Sequence, residues 1–390
     1  MRTTSTTRLT LLCVTFCCGF YRVAAADLPK IKIGVIAPLT GPGAPWGQSA
    51  VGGVKIIAAQ TNADGGLDVG GVKYAVEVTA YDDRFKAADT VTAFNRLVNQ
   101  DQAKFIFVMT STGTMAVRDA VESNHVIALT SSMSSKVIDR NSKYMFVLYS
   151  TPYDYLPSMI DWLKANSPPA FRRVAILNPN DESGWAQTAL STKLFESKGY
   201  KIVASDLFEG TQRDFEPTLT KVLAAKPDVI DLGGSPPATA GLIMRQAREF
   251  GFSGQFFKGA SSGPEATLAA AGARDAEGMI NMLFADPGNA AYQKLAAAYT
   301  TMTGNKPNEV ILSYADATRV LLATVKKAGT VTDTAKIADS FKDTLPMPAL
   351  QGTSIALGGN DVYGVNHQLR TVDYIGVIRS GKTVVVGEAK

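Results

Sequence analysis

The sequence predicts an α/β fold built from two doubly wound parallel-sheet lobes. Short apolar runs typical of buried strands alternate with amphipathic helical patterns along most of the 390 residues, which predicts βαβ units. The alternation forms two series that meet near residues 149–153, so we expect two domains. A Gly/Pro-rich corner follows the first strand at residues 38–47, and such corners face the ligand in open α/β sheets.

The first 26 residues have the pattern of a cleavable signal peptide. Arg2 and Arg8 precede an apolar run of about twelve residues, and a small-residue cleavage site ends at Ala26. The apolar run is shorter than the roughly 20 residues that a membrane-spanning helix needs. The segment therefore predicts secretion to the periplasm with removal of residues 1–26.

Cysteine content and charge narrow the class of protein further. Cys13, Cys17 and Cys18 all lie in the signal segment, so the mature chain would have no disulfide, thiolate nucleophile or cysteine metal site. Lipidation at Cys17 or Cys18 is the alternative, although residues 14–16 lack the small side chains expected before a lipidated cysteine. Loss of three arginines lowers the formal net charge from +4 to +1, and this near-neutral balance argues against nucleic acid as a partner.

Each series is an ordered run of predicted strands and helices. The first has strands at residues 31–36, 74–81, 105–109, 126–130 and 144–148, with helices at 50–61, 87–99 and 114–123. The second has strands at 174–177, 202–208, 228–232 and 255–257, with helices at 156–165, 184–197, 214–225 and 238–250. Two further helices, at 292–303 and 312–327, are assigned back to the first lobe.

Hydroxyl-rich loops follow two neighbouring strands of the first series. Residues 110–114 (TSTGT) and 130–135 (TSSMSS) each come directly after an apolar strand, where ligands bind in such sheets. The first loop also opens a helix, whose N-terminus favours an anion. Ordinary capping by Ser and Thr is the alternative. Because the two loops are adjacent, we interpret them together as a clamp for a carboxylate.

No catalytic set emerges from the residues. The run at 41–47 is one residue too long for a dinucleotide fingerprint, and Pro42 lacks the backbone N–H that a pyrophosphate needs. Only two histidines occur, His125 and His367, so a metal site or triad has few candidate residues. The pairs Asp82-Asp83 and Asp181-Glu182 stand at loop positions typical of turns and helix caps. We therefore expect a binding protein without cofactor or metal, and not an enzyme.

Five longer motifs make the chain resemble a known family. They are IGVIAPLTGPGAPWG after the signal, NADGGLDVGGVKY at 62–74, YDDRFKAADTV at 81–91, FEGTQRDFEPTLTKV at 208–222 and MRQAREFGF at 244–252. The chain is similar over nearly its whole mature length to substrate-binding proteins of branched-chain amino acid type ABC transporters, the type I periplasmic binding protein family. The resemblance implies two lobes joined by a three-crossover hinge, with lobe 1 at 27–149 plus 277–365 and lobe 2 at 150–276 plus 366–390.

The resemblance also implies a ligand site in the cleft between the lobes. In the family, the residue at the Trp46 position packs on the ligand, and the two hydroxyl loops hold its carboxylate. Lobe 2 contributes the turns at 183–185, 235 and 259–262. Tyr153 and Trp185 are further candidates for stacking on an aromatic ligand. The expected ligand-binding residues are Trp46, Ser111, Thr112, Ser132, Ser134, Tyr153, Ser183, Trp185, Ser235 and Ala260.

Ala260 departs from the family pattern. Amino-acid binders of the family place an acidic residue at this position to take the ligand's α-ammonium, and a buried ammonium without such a partner costs several kcal/mol. Glu265 could replace the missing acid only if the turn is remodelled. We therefore expect a carboxylic acid that lacks an α-ammonium, with aromatic acids favoured. A branched-chain amino acid binding protein proper is the alternative.

Three function classes follow from this pattern. The leading one is a monomeric binding protein that delivers a small carboxylate to an ABC permease in the membrane. A sensory protein that presents the same closed form to a receptor is the second. An exported α/β enzyme is the third, and the missing catalytic set disfavours it.

The signal segment generates a direct test. N-terminal sequencing of the exported protein should begin at Asp27 or Ala26, and thiol titration should detect no cysteine, because all three leave with the signal. A mature chain that begins at a lipidated Cys18 would contradict this expectation.

Overall fold

The computed structural model describes residues 28–260 and 263–389, and within them it has two mixed, mostly parallel sheets with helices packed on them. The strands are β1 Lys30–Ala37, β2 Leu67–Val69, β3 Val72–Asp82, β4 Phe105–Val108, β5 Ile127–Thr130, β6 Met145–Val147, β7 Arg173–Pro179, β8 Lys201–Phe208, β9 Val229–Asp231, β10 Gln255–Lys258, β11 Ile280–Leu283, β12 Met347–Pro348, β13 Ser354–Gly358, β14 Gln368–Arg370, β15 Asp373–Arg379 and β16 Lys382–Ala389. The predicted signal segment lies outside the described residues, as do Ser261 and Ser262 of the predicted lobe 2 turn.

Helices connect most of the parallel strands. They are α1 Ala44–Ala63, α2 Ala87–Asn99, α3 Ser111–Ser123, α4 Pro152–Asn166, α5 Glu182–Ser197, α6 Glu216–Ala224, α7 Pro237–Glu249, α8 Pro264–Ala271, α9 Ala273–Ala276, α10 Ala290–Thr303, α11 Val310–Ala328, α12 Thr334–Thr344 and α13 Asn360–Tyr363. The late helices α10 and α11 pack on α1. None of the helices in the described part of the chain combines the length and the apolar character needed to cross a bilayer.

Each sheet forms the centre of one lobe. The first has the strand order β12-β13-β14-β6-β5-β4-β1-β3-β2, and the second has the order β16-β15-β11-β10-β9-β7-β8. The middle strands pair in parallel, and those such as β4 and β5 are buried along their whole length because helices cover both faces. This architecture confirms the predicted fold class.

The chain passes between the sheets three times, after β6, after β11 and after β14. The first crossover follows β6 closely, near the expected boundary at 149/150. The expected lobe boundaries at 276/277 and 365/366 lie before β11 and β14, whereas the chain changes sheets only after each of these strands. β11 pairs with β10 in the second sheet, and β14 pairs with β6 in the first. Both strands are only three or four residues long and lack a distinct sequence pattern, so the sequence did not resolve them.

Hydrogen bonds hold the three crossovers side by side. Ser150 Oγ donates to the carbonyl of Thr371 at 2.7 Å and accepts from the N–H of Thr371 at 3.0 Å. Gln351 Nε2 donates to the carbonyl of Phe284 at 3.3 Å, which lies in the second crossover. The rings of Tyr149 and Phe284 are 4.5 Å apart between their centroids. The crossovers therefore form one packed hinge.

Two strand–helix corners, one in each lobe, share the same construction. A Cβ at Gly47 in α1 would lie 2.0 Å from the carbonyl oxygen of Pro38, just after β1. A Cβ at Gly184 in α5 would lie 1.8 Å from the carbonyl oxygen of Pro179, the last residue of β7. Only glycine permits so close an approach between backbones. Both helices therefore begin tightly packed against the strand that precedes them.

The corner of lobe 2 can be tested by adding one methyl group. Gly184→Ala should lower the free energy of unfolding by about 2–3 kcal/mol, because the clashing atom is a backbone oxygen that cannot move freely. Gly210→Ala is the matched control, since a Cβ there has no heavy atom within 4 Å and should change stability by less than about 1 kcal/mol. Urea unfolding measures both, and equal effects would contradict the packing argument.

Candidate functional site

A cavity of about 570 Å³ lies between the two lobes at the carboxyl ends of their parallel strands. Both lobes and the hinge contribute to its lining. Its walls are mostly apolar, with charged residues from loops of both lobes. The apolar residues are Trp46, Phe85, Met109, Met133, Tyr149, Phe284 and Val310, and the charged ones are Arg84, Lys86, Asp181 and Glu209.

The two glycine corners determine which side chains enter the cavity. Trp46 directly precedes Gly47, and Ser183 directly precedes Gly184, and both line the cavity from opposite lobes. Trp185 follows Gly184 and lies outside the lining. The residue is 49% exposed, and its Nε1 donates to Asn180 Oδ1 at 2.9 Å. Lobe 2 therefore presents a small serine where lobe 1 presents a tryptophan.

A turn after β3 places a second aromatic ring beside Trp46. Arg84 and Phe85 have positive φ values of 49° and 60°, which non-glycine residues rarely adopt. The carboxylates of Asp82 and Asp83 stabilise this turn by accepting from the N–H groups two residues ahead, at 2.9 Å from Arg84 and 3.1 Å from Phe85. The predicted role of this acidic pair as turn formers is what the structure shows. Phe85 then meets Trp46 edge to face, with ring centroids 6.3 Å apart.

Different environments move the pKa values of these two carboxyls in opposite directions. Burial raises the pKa of Asp83 above its usual range, and hydrogen bonds from Phe85, Thr110 and Thr90 offset this only in part. Burial also acts to raise the pKa of Asp82, but hydrogen bonds from Thr40, Leu39 and Arg84 outweigh it and leave the pKa low. Both carboxyls accept hydrogen bonds that stabilise the turn, so we do not interpret them as an acid–base pair.

The N-terminus of α3 reaches the cavity. Thr110 is its N-cap, with Oγ1 accepting from the N–H of Gly113 at 3.1 Å and donating to Asp83 Oδ2 at 3.0 Å. Ser111 Oγ accepts from the N–H of Met133 at 3.0 Å, and this bond joins the two hydroxyl loops. First-turn N–H groups have no acceptor within their own helix and favour an anion. Thr110 and Ser111 line the cavity, whereas Thr112 does not.

The hydroxyls of the second loop bond mainly within the protein. Ser131 lines the cavity, and its Oγ lies 2.8 Å from both the carbonyl of Met109 and the hydroxyl of Tyr314. Ser132 Oγ accepts from the N–H of Ser134 at 3.1 Å. Neither Ser132 nor Ser134 lines the cavity.

Ser134 instead contacts the other lobe. Its Oγ donates to Glu182 Oε1 of α5 at 2.7 Å, and Lys136 Nζ lies 3.4 Å from the same oxygen. Glu182 is almost fully buried. These bonds connect the second hydroxyl loop of lobe 1 to the first turn of α5 in lobe 2, so they are made where the two lobes meet.

The remaining candidates do not line the cavity. The hydroxyl of Tyr153 donates to Ser135 Oγ at 3.2 Å. Ser235 is fully buried, and its Oγ lies 3.4 Å from the carbonyl of Leu177. Ala260 is also fully buried. Of the ten expected residues, the lining contains Trp46, Ser111 and Ser183.

Several residues that line the cavity were not among those predicted from the sequence. Tyr149 and Phe284 stand at the first two crossovers, immediately after strands of the sheets, and this position is a signal that could have identified them. Phe85 follows the two aspartates at the end of β3. These aspartates indicate a tight turn, but the sequence does not show that the turn directs the Phe85 ring into the cavity. Met109 directly precedes the first hydroxyl loop and Met133 lies within the second, but only the polar residues of these loops were predicted to contact a ligand.

Protein partners already engage three of the four charged lining residues. Arg84 Nη2 lies 2.8 Å from Asp89 Oδ2, and Glu209 Oε1 accepts from Asn180 Nδ2 at 2.9 Å. Asp181 caps α5 by accepting from the N–H of Gly184 at 2.8 Å, and burial raises its pKa. Across residues 28–260 and 263–389, no group of three or more His, Cys, Asp or Glu side chains is placed to hold a metal ion.

Comparisons with known proteins agree with this geometry. The family model described as periplasmic binding protein matches residues 30–382. The chain is 27% identical to the Leu/Ile/Val-binding protein BraC3 of Rhizobium johnstonii over 335 residues, covering 86% of this chain and 88% of that protein. It resembles the crystal structure of a leucine binding protein from Thermotoga maritima with a TM-score of 0.77 and 22% identity, covering 92% of this chain and 99% of that one.

One similar structure holds an aromatic acid. It is a solute binding protein of an ABC transporter from R. palustris in complex with benzoate, with a TM-score of 0.77 and 17% identity, covering 92% of this chain and 96% of that one. At this level of identity the likeness establishes the fold alone.

The contact between the lobes can be tested without a ligand. Ser134→Ala removes the bond to Glu182, so fewer molecules should be closed and the radius of gyration of the ligand-free protein should increase. Ser123→Ala is the matched control, because that hydroxyl donates only to the carbonyl of Asp119 within its own helix. Small-angle scattering measures both variants, and an unchanged radius for Ser134→Ala would contradict a role in closure.

Proposed function

The chain belongs to the periplasmic binding protein family, and on that premise we propose that it is the substrate-binding protein of an ABC importer whose ligand is a small carboxylate without an α-ammonium group. Its relatives and fold neighbours are solute-binding proteins and not enzymes. An aromatic acid is the preferred ligand, and other apolar carboxylic acids rank second.

The observation that carries this proposal is the distribution of polarity in the cavity. One wall consists of the α3 N-terminus with the hydroxyl of Ser111, which suits a carboxylate. Other parts of the lining are the rings of Trp46, Phe85, Tyr149 and Phe284, which suit a flat apolar body. A cavity of about 570 Å³ has room for a ring with its carboxylate.

The lining offers little to an α-ammonium group. Ala260, at the position where the family resemblance implies an acid, is buried outside the lining and supplies no carboxylate. Asp181 is occupied as the N-cap of α5, and Glu209 is exposed and bonded to Asn180. Because a buried ammonium needs a charged or well-placed polar partner, an amino acid would lose several kcal/mol here relative to its deaminated analogue.

The similar proteins support both the class and the range of ligands. BraC3 is named as a Leu/Ile/Val-binding protein, while the R. palustris protein was crystallised with benzoate. The fold therefore accommodates ligands with and without an ammonium group, and the residues of each cleft decide between them. A branched-chain amino acid ligand is the second candidate, favoured by the names of the sequence relatives.

Location and partners follow from the same family. An importer's binding protein works outside the cytoplasm, which agrees with the predicted signal over residues 1–26 and with a periplasmic location. Its partners are the ligand and a membrane permease that receives the closed form, and we expect a monomer. A sensory role at a receptor is the alternative, and the presence of a permease gene beside this one would favour transport.

Calorimetry with matched ligand pairs tests the ligand class. Leucine and 4-methylpentanoate differ only in the amino group, as do phenylalanine and 3-phenylpropanoate, and benzoate completes the panel. The acids should bind at least tenfold more tightly than their amino-acid partners, because the ammonium gains no charged partner. Tight binding of leucine by the unmodified protein would favour the second candidate instead.

Two variants locate the ends of the ligand in the cleft. Ser111→Ala should weaken every carboxylate by about 1–3 kcal/mol through loss of a charge-assisted hydrogen bond. Ala260→Glu should weaken the acids, because it adds a negative charge within a desolvated region. Ser123→Ala on the exposed side of α3 serves as the control, and it should leave all affinities unchanged.

A further inference from the structure

A buried lysine lies beside the wall that the ligand would contact. Lys258 is the last residue of β10 in lobe 2 and is only 1% exposed. Its Nζ lies 5.8 Å from the centroid of the Trp46 ring, which belongs to lobe 1 and lines the cavity. Lysine is rarely fully buried unless it is paired. We therefore expect groups that stabilise its charge beyond the residues that line the cavity.

Two buried carboxylates, one from each lobe, attract this ammonium electrostatically. Asp231 ends the neighbouring strand β9, opposite Phe257, and is fully buried. It accepts from Ser191 Oγ at 2.7 Å and from the N–H of Gly233 at 2.9 Å. Glu309 immediately precedes α11 in lobe 1, is 2% exposed, and accepts from the N–H of Gly263 in lobe 2 at 2.9 Å.

The electrostatic balance shows that the three groups act on one another. Burial lowers the pKa of Lys258 to about 7, although the negative charges of Glu309 and Asp231 act to raise it. Burial raises the pKa of Asp231 to about 6, against hydrogen bonds from Ser191 and Gly233 and the charge of Lys258. An isolated buried ammonium would cost far more than one that faces two carboxylates.

We propose that Lys258 determines the charge class of the ligand by supplying, from the protein itself, an ammonium group that lies over the ring of Trp46 and that Asp231 and Glu309 attract. The inference rests on the function proposed above, and it adds a second physical reason why the cleft would reject a ligand with an ammonium group. An amino acid is rejected because a protein ammonium already takes the carboxylates and the face of Trp46. A deaminated acid brings no competing cation and binds.

The arrangement also explains why a cation is placed beside an aromatic wall. The face of the Trp46 ring attracts a cation through its quadrupole, and buried carboxylates from the two lobes attract the same ammonium. A second ammonium, brought by a ligand, would be repelled by the first at short range in a medium of low dielectric constant. The rejection therefore depends on the presence of Lys258 and is separable from the absence of an acid at Ala260.

The test measures a ratio of affinities. In each protein, calorimetry gives the dissociation constants of leucine and 4-methylpentanoate, and of phenylalanine and 3-phenylpropanoate. Lys258→Ala removes the ammonium and opens space, while Lys258→Met removes the charge and keeps most of the volume. Lys193→Ala, at an exposed position on α5, is the control. The double variant Lys258→Ala/Glu309→Gln removes the cross-lobe carboxylate as well.

The expected result is a change in preference. Lys258→Ala should lower the ratio of amino-acid to acid dissociation constants at least tenfold, and Lys258→Met should lower it less. Lys193→Ala should leave the ratio unchanged, and adding Glu309→Gln should reverse most of the gain. A lysine with a merely structural role would weaken both members of a pair alike, so an unchanged ratio in folded Lys258→Ala would overturn the inference.

Failure of the proposed function gives a different result. If the unmodified protein binds no small carboxylate, the proposed ligand class fails, and a gain of amino-acid binding in Lys258→Ala still supports the role of Lys258. If the unmodified protein binds leucine as tightly as 4-methylpentanoate, both proposals are overturned. If it prefers the acid and Lys258→Ala keeps that preference, only the inference about Lys258 fails.

Discussion

The close contact between a helix start and the end of the preceding strand is the constraint on which the cleft depends. In both lobes a glycine in the first turn of the helix lies against the carbonyl of a proline that ends or follows the strand. The residue before that glycine then enters the cavity, as Trp46 and Ser183 do. A side chain at either glycine would push the helix away and turn its neighbour out of the site.

Other parts of the site depend on this constraint in turn. With Trp46 held in place, Phe85 packs against it only because Asp82 and Asp83 stabilise a backbone turn that costs free energy. Asp83 also accepts from Thr110, the N-cap of the helix whose N-terminus reaches the cavity. The aromatic wall and the α3 N-terminus are therefore coupled through one buried carboxylate.

The fold could be predicted from the sequence, because the strands are short apolar runs bounded by turn residues and the helices have amphipathic patterns. Short strands such as β11 and β14 could not, since three or four residues carry no distinct pattern. Within the site, Trp46 and Ser111 were predictable from their loops. Trp185 was misleading because stacking was expected from its residue type, whereas its direction depends on which side of Gly184 it stands. The role of Lys258 could not be predicted from the sequence, because only the tertiary structure brings it over the ring of Trp46 from the other lobe.

The hinge limits how the two lobes can move relative to each other. A single flexible tether would leave two bodies free to turn about any axis, whereas three neighbouring tethers bonded through Ser150 and Gln351 must bend together. We expect the lobes to move relative to each other mainly by one bending motion of this hinge. The residues that line the cleft can therefore vary while the motion that the hinge permits stays the same.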